Sequence, residues 1–97
     1  MTVNKQVNGS EMTVAVEGRL DSTTSPILEA QVKNLSGIQS LVFDFEHLDY
    51  VSSAGLRVLL AAQKVMNVQG KMVVRNVNET IAELFEVTGF SDILTIE

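Results

Sequence analysis

The chain has 97 residues, 45% apolar and 20% charged, with no cysteine and a formal net charge of −5. That length suits one core in a single domain over residues 1–97, and the lack of cysteine excludes disulfides and thiolate metal sites. No Lys/Arg cluster is present, which argues against a nucleic-acid partner, since a phosphate backbone needs concentrated positive charge. No apolar run reaches the roughly 18 residues that span a bilayer. Met1 to Lys5 open no signal-peptide core, so no membrane insertion and a cytoplasmic address are expected. Asn-x-Ser/Thr triplets at Asn8, Asn34 and Asn78 are then read as turn and cap chemistry, not glycosylation.

Val3, Lys5 and Val7 alternate with polar residues, as do Met12, Val14 and Val16 further on. Asn8-Gly9 between them predicts an antiparallel hairpin, with Ser10 and Glu11 available to lengthen its loop. Gly18-Arg19-Leu20-Asp21 ends the second strand. Ser25 before Pro26 then reads as the cap of a helix from about Ser25 to Ser36. Ile27, Leu28, Val32 and Leu35 form its buried stripe, and Gly37 supplies a left-handed stop.

Ser40 to Phe45 reads as a strand buried on both faces. After an irregular Glu46 to Val51, a second helix is expected from Ser53 to Gln69. Its inward stripe is Gly55, Val58, Leu59, Ala62, Val65 and Met66, and Gly70 is its stop. Lys71 to Arg75 is a short strand, and Asn78 caps a third helix through Thr88, with Ile81, Ala82, Leu84 and Phe85 inward. Gly89 stops that helix, Phe90 packs back on Phe85, and Ile93 to Ile96 reads as a last strand. The order β-β-α-β-α-β-α-β implies parallel neighbours joined by right-handed crossovers, plus an antiparallel edge.

Motifs for enzymatic chemistry are sparse. His47 is the single histidine, and no nucleophile elbow, phosphate-binding loop or dinucleotide fingerprint is present. Asp44 and Glu46 read as loop-facing charges at a strand end, not an acid–base or metal pair. Ser52 and Ser53 carry more information, because they fall where a loop enters a helix. One reading is an N-cap, worth about 0.5–2 kcal/mol. The other is an acceptor for phosphate, which free N–H groups and the helix dipole favour. Ala54 and Gly55 leave the first turn bare, and Leu56 and Leu60, on the side of Arg57 and Lys64, either keep apolar surface exposed beside the serines or widen the core face.

Tyr50-Val51-Ser52-Ser53-Ala54-Gly55-Leu56, with Phe43-Asp44-Phe45 before it and Gly18-Arg19-Leu20-Asp21 upstream, resembles the STAS domain of bacterial anti-sigma factor antagonists. The segment from Asn78 to Phe90 is similar too, so the resemblance runs in order from about Met12 to Ile96. It implies an α/β STAS fold: a single mixed sheet of four to five strands with an N-terminal hairpin and helices mainly on one face. It also implies a regulator that is not an enzyme and takes no cofactor or metal. Such proteins bind an anti-sigma factor that is also a serine kinase, and so release a sigma factor. Phosphorylation ends that binding, and a PP2C-type phosphatase restores it.

Matching the motif puts the phosphorylated residue at Ser53. The implied contact surface holds Asp21, Ser52, Ser53, Ala54, Gly55 and Leu56, with Arg57 and Leu60 adjoining. The usual pattern has aspartate where this chain has Ser52, so Ser52 is a rival acceptor. A module of a lipid-transport or stressosome-like complex, binding an ATPase or another STAS copy, is the second reading. A nucleotide-binding protein using the anion-friendly helix start is the third.

Overall fold

A computed structural model describes all of residues 1–97. Strands β1 (Thr2–Asn8) and β2 (Glu11–Leu20) form the expected hairpin, with Asn8 opposite Glu11. Only Gly9 and Ser10 lie between them, so the loop is not lengthened through Glu11. Gly9 takes φ +63° at the first loop position, which gives a tight turn whose twist suits the strands.

Strands β3 (Ser40–Asp44), β4 (Leu48–Val51) and β5 (Lys71–Arg75) complete the sheet. Its order is β1-β2-β3-β5, with β4 pairing the end of β2, and every pair except the hairpin is parallel. Register places Met12, Leu41 and Met72 in one row and Val14, Phe43 and Val74 in the next, on one face. Helices α1 (Ser25–Gln31), α2 (Ser53–Gln69) and α3 (Glu79–Thr88) send Leu28, Leu59, Met66, Ile81 and Phe85 into the same cluster. Val42 points the other way yet is buried, flanked by its register partners Thr13 and Val73.

The bounds of α2 and α3 are those expected. Asn78 caps α3 through Oδ1, which accepts from Ile81 N at 2.9 Å, while its Nδ2 donates to Leu48 O at 2.9 Å. One side chain thus starts a helix and ties it to β4. Gly89 ends α3 at φ +83°, the left-handed conformation that suits a residue with no Cβ. Phe90 is partly buried against the core.

Several expectations are corrected. Helix α1 stops at Gln31, not Ser36, because Asn34 Oδ1 accepts from Ser36 N at 3.1 Å and turns the chain locally. Gln69 Nε2, from the end of α2, donates to the carbonyls of Leu35 and Ile38 at 2.5 and 2.7 Å and holds that turn. Gly37 (φ +78°) therefore serves the turn and not the helix end. Ser25 does not cap α1; Thr24 precedes the helix, and Ser25 Oγ donates to Asp21 O at 2.6 Å. Ile27 is 51% exposed, since the buried phase of α1 runs through Ser25, Leu28 and Val32.

On α2, Val65 is 44% exposed, and Leu56 and Gln63 occupy the core side that it was expected to share. The last strand is absent: Phe90–Asp92 is a 3₁₀ turn, Leu94 is buried, and Ile96 makes one isolated bridge to Val74. Strand β4 forms within the stretch from Glu46 to Val51 that is expected to be irregular. Its burial runs in-out-out-in, not in alternation, and its ladder slips between Gly18 and Arg19. Gly18, at φ +93°, sits at that slip.

Candidate functional site

Strand β4 brings the two halves of the site together. Arg19 pairs with Tyr50 and Leu20 with Val51, and Ser52 N extends the ladder by donating to Leu20 O at 2.8 Å. The chain leaving β2 at Asp21 therefore lies beside the chain entering α2 at Ser53. Sequence order separates these residues, and only the parallel pairing joins them.

On the β2 side, Asp21 builds the turn into α1. Its Oδ1 accepts from Thr23 Oγ1 at 2.7 Å and from the backbone N–H groups of Thr23 and Thr24 at 3.0 and 3.1 Å. Thr24 Oγ1 accepts from Asp21 N at 2.8 Å and donates to Arg19 O at 2.7 Å. The donors at Thr23, its hydroxyl first, hold the Asp21 carboxyl below the usual carboxylate range by favouring the charged form. Its contribution to stability is therefore complete above the ordinary value of 3.8 and is lost as pH falls through the lower folded value. An NMR titration is expected to show the Thr23 and Thr24 amides keeping their shifts through pH 3.8 and moving only below it. Movement centred at or above that value would contradict this account.

On the α2 side, the two serines divide the work. Ser52 takes extended φ and ψ of −91° and 175° and is the N-cap, its Oγ accepting from Gly55 N at 3.5 Å. Ser53 is the first helical residue; it is exposed, and its hydroxyl makes no hydrogen bond. Ala54 and Arg57 line the mouth of a groove of about 210 Å³ between α1 and α2, with Ser22, Pro26 and Glu29 opposite. Arg57 is exposed and unpaired, and Leu60 is half-buried.

Gly55 keeps the inward place that the stripe gave it, and Leu56 takes the core-face alternative. Gly55 is buried, and a Cβ there would lie 2.7 Å from Leu20 Cγ and 3.1 Å from Val51 Cγ1. It lets helix and sheet approach; it does not bare the first turn to solvent. Leu56 is 7% exposed and belongs to the core, so the partly exposed apolar side chains on this part of α2 are Ala54, next to Ser53, and Leu60, two turns further on. Arg19 takes a part in the site that its neighbours in the chain do not display. Its guanidinium lies 4.3 Å from the Tyr50 ring centroid, and its Nε is 3.9 Å from Asp21 Oδ2. The signal was present in the Gly18-Arg19-Leu20-Asp21 quartet, but its neighbour Tyr50 was invisible without β4.

The other candidates stay apart. His47 is exposed in the turn between β3 and β4, and its carbonyl accepts from Gly18 N at 2.9 Å. Asp44 Oδ1 accepts from Glu46 N at 3.1 Å and from Asn76 Nδ2 at 3.0 Å, which makes it a turn former. No group of three His, Cys, Asp or Glu side chains is placed to hold a metal ion. No helix is long and apolar enough to cross a membrane.

Residues 2–97 match the STAS domain family. This chain belongs to that family. It is 37% identical over 84 residues to a Bordetella bronchiseptica protein, BtrV, provisionally named an anti-sigma factor antagonist, covering 84% of this chain and 72% of that one. It is 30% identical over 86 residues to the anti-sigma-B factor antagonist of Staphylococcus aureus, covering 86% and 80%. In fold, this STAS chain resembles an anti-sigma factor antagonist from Mycobacterium paratuberculosis, with a TM-score of 0.86 at 21% identity over 98% and 83% of the two chains. It also resembles the Bacillus cell fate determinant SpoIIAA in its phosphorylated form, with a TM-score of 0.77 at 17% identity over 99% and 91%. The STAS family's mixed α/β fold, with three helices and an open sheet of five strands, is the one described above.

Proposed function

We propose that this STAS protein is an anti-sigma factor antagonist that works by partner switching. It docks on an anti-sigma factor with serine kinase activity through the surface formed by Asp21, Ser52, Ser53, Ala54, Arg57 and Leu60. Gly55 and Leu56 support that surface from below. Docking frees a sigma factor, and transfer of a phosphoryl group from ATP to Ser53 Oγ ends it. A PP2C-type phosphatase hydrolyses the phosphoserine and resets the switch in the cytoplasm. The protein is the substrate of this chemistry and not its catalyst.

The observation that carries the reading is the division of labour between the serines. Ser52 Oγ is half-buried and accepts a long bond from Gly55 N at 3.5 Å, whereas the Ser53 hydroxyl is exposed and unbonded among the free N–H groups of the first turn. Ser53 is the better acceptor, even though Ser52 stands where aspartate is usual. The names of the relatives supply the class of partner. Incubation with a kinase-type anti-sigma factor and ATP, followed by intact-mass and fragment spectra, tests the assignment. One added phosphate on residue 53 is expected; addition at Ser52 alone, or none, removes the mechanism. Ser52 in place of aspartate favours a second reading, a subunit of a lipid-transport or stressosome-like complex. Co-purification of a transporter ATPase without an anti-sigma factor would select it.

A further inference from the structure

A second surface lies between β4 and α3, and Ser53 does not line it. An open groove of about 310 Å³ runs there, floored by Ile81 and walled by Tyr50, Leu84 and Val87, with Asp49 and Glu83 at its rim. Val87 is 80% exposed and Tyr50 40%, so two of the chain's exposed apolar side chains converge on one concavity. Exposed apolar residues scattered singly need no explanation, but a concave apolar patch rimmed by charge does. The Arg19 guanidinium, 4.3 Å from the Tyr50 ring centroid, packs against that wall.

Charge selects the occupant. Helix α3 carries Glu79, Glu83 and Glu86 with no Lys or Arg, and β4 adds Asp49. Arg19 is the one cation beside the groove, and it is engaged by Tyr50 and Asp21. These carboxylates repel a fatty-acid headgroup or an anionic lipid surface. They attract an apolar side chain that arrives with Lys or Arg next to it. We propose that the β4–α3 groove is a second docking face, which takes a protein segment presenting an apolar side chain flanked by basic residues. Because Ser53 is absent from its lining, this face keeps its occupant when the helix-two surface is phosphorylated. The two faces meet only at Arg19, which lies against Tyr50 on one side and Asp21 on the other.

The test is a ¹⁵N NMR titration of the full chain with acetyl-Lys-Leu-Val-Arg-Leu-Lys-amide, beside the same peptide with Glu at its basic positions. The basic peptide is expected to shift the amides of Tyr50, Leu84 and Val87, and Ser53→Asp is expected to leave its affinity unchanged. Glu83→Lys, at an exposed position, is expected to weaken binding by about fivefold. Val87→Ser tests the apolar wall in the same way, and the peptide map on the unmutated chain decides the matter even if either variant folds poorly. Equal shifts from both peptides, shifts confined to other residues, no shifts at millimolar peptide, or loss of binding in Ser53→Asp would each overturn the proposal. So would binding to phosphatidylglycerol vesicles through these same residues.

Discussion

Aspartate at position 53 is expected to weaken association with the anti-sigma partner by about a hundredfold or more, while alanine there leaves it within about threefold. The difference follows from where the charge ends up. In the free protein, a carboxylate at the first helical position meets the positive end of the α2 dipole and is stabilised by about 0.3–1 kcal/mol. The fold should therefore survive, with an unfolding midpoint equal to or slightly above that of the parent. In the complex, the same carboxylate is desolvated against Ala54 and Leu60. An unpaired charge in an interface costs about 2–5 kcal/mol, and each 1.4 kcal/mol is about tenfold in affinity. Arg57, exposed and one turn further on, offsets part of that loss by reaching towards the new charge. Titration calorimetry on the two variants reads the effect directly. Equal affinity for both would dispose of the switch and leave only the fold.

The second large effect concerns a glycine. Gly70→Ala is expected to destabilise the fold by about 3 kcal/mol, at the upper end for an overpacked site. Gly70 has φ 178°, outside the left-handed region, so a positive φ is not the reason. The reason is space. A Cβ would collide with the carbonyl oxygen of Gln39 and lie 2.7 Å from its carbonyl carbon. That backbone is fixed on both sides, by Gln39 N donating to Ser10 O at 2.8 Å and by Lys71 N donating to Gln39 O at 3.0 Å. Gly55→Ala provides the contrast. Its added Cβ meets side-chain atoms of Leu20 and Val51, which can yield, and alanine recovers about 1 kcal/mol of helix propensity. A loss of about 1 kcal/mol is expected there. Urea denaturation of both variants decides it, and a Gly70→Ala chain as stable as the parent would refute the packing argument.

The STAS family was legible in sequence because its signals are local. Asn78 three residues before Ile81, Gly89 after Thr88, and Ser52 before a long apolar period fix helix boundaries through bonds within one turn of chain. The sheet face was legible for the same reason, since Met12, Val14 and Val16 alternate without interruption. Where a short-range rule had two outcomes, sequence favoured the wrong one. Gly37 looked like a helix stop, but Asn34 had already turned the chain, and Ile93 to Ile96 looked like a strand but pairs with β5 only at Ile96.

Taken alone, the order of residues determined the hairpin, the three helices, the parallel sheet and a pair of serines at the head of α2. It also carried, through resemblance, the link from Asp21 to Ser53. Tertiary structure decided what those residues face. Strand β4 hides its character behind a ladder slip, yet its pairing with β2 sets Asp21, Arg19 and Tyr50 beside the serines. Burial turned Leu56 inward and left Ser53 free, while Ser52 became the cap. Caps and turns are settled by neighbours in the chain, which sequence displays. Exposure and juxtaposition are settled by contacts between distant segments, which exist only once the sheet has closed around its core.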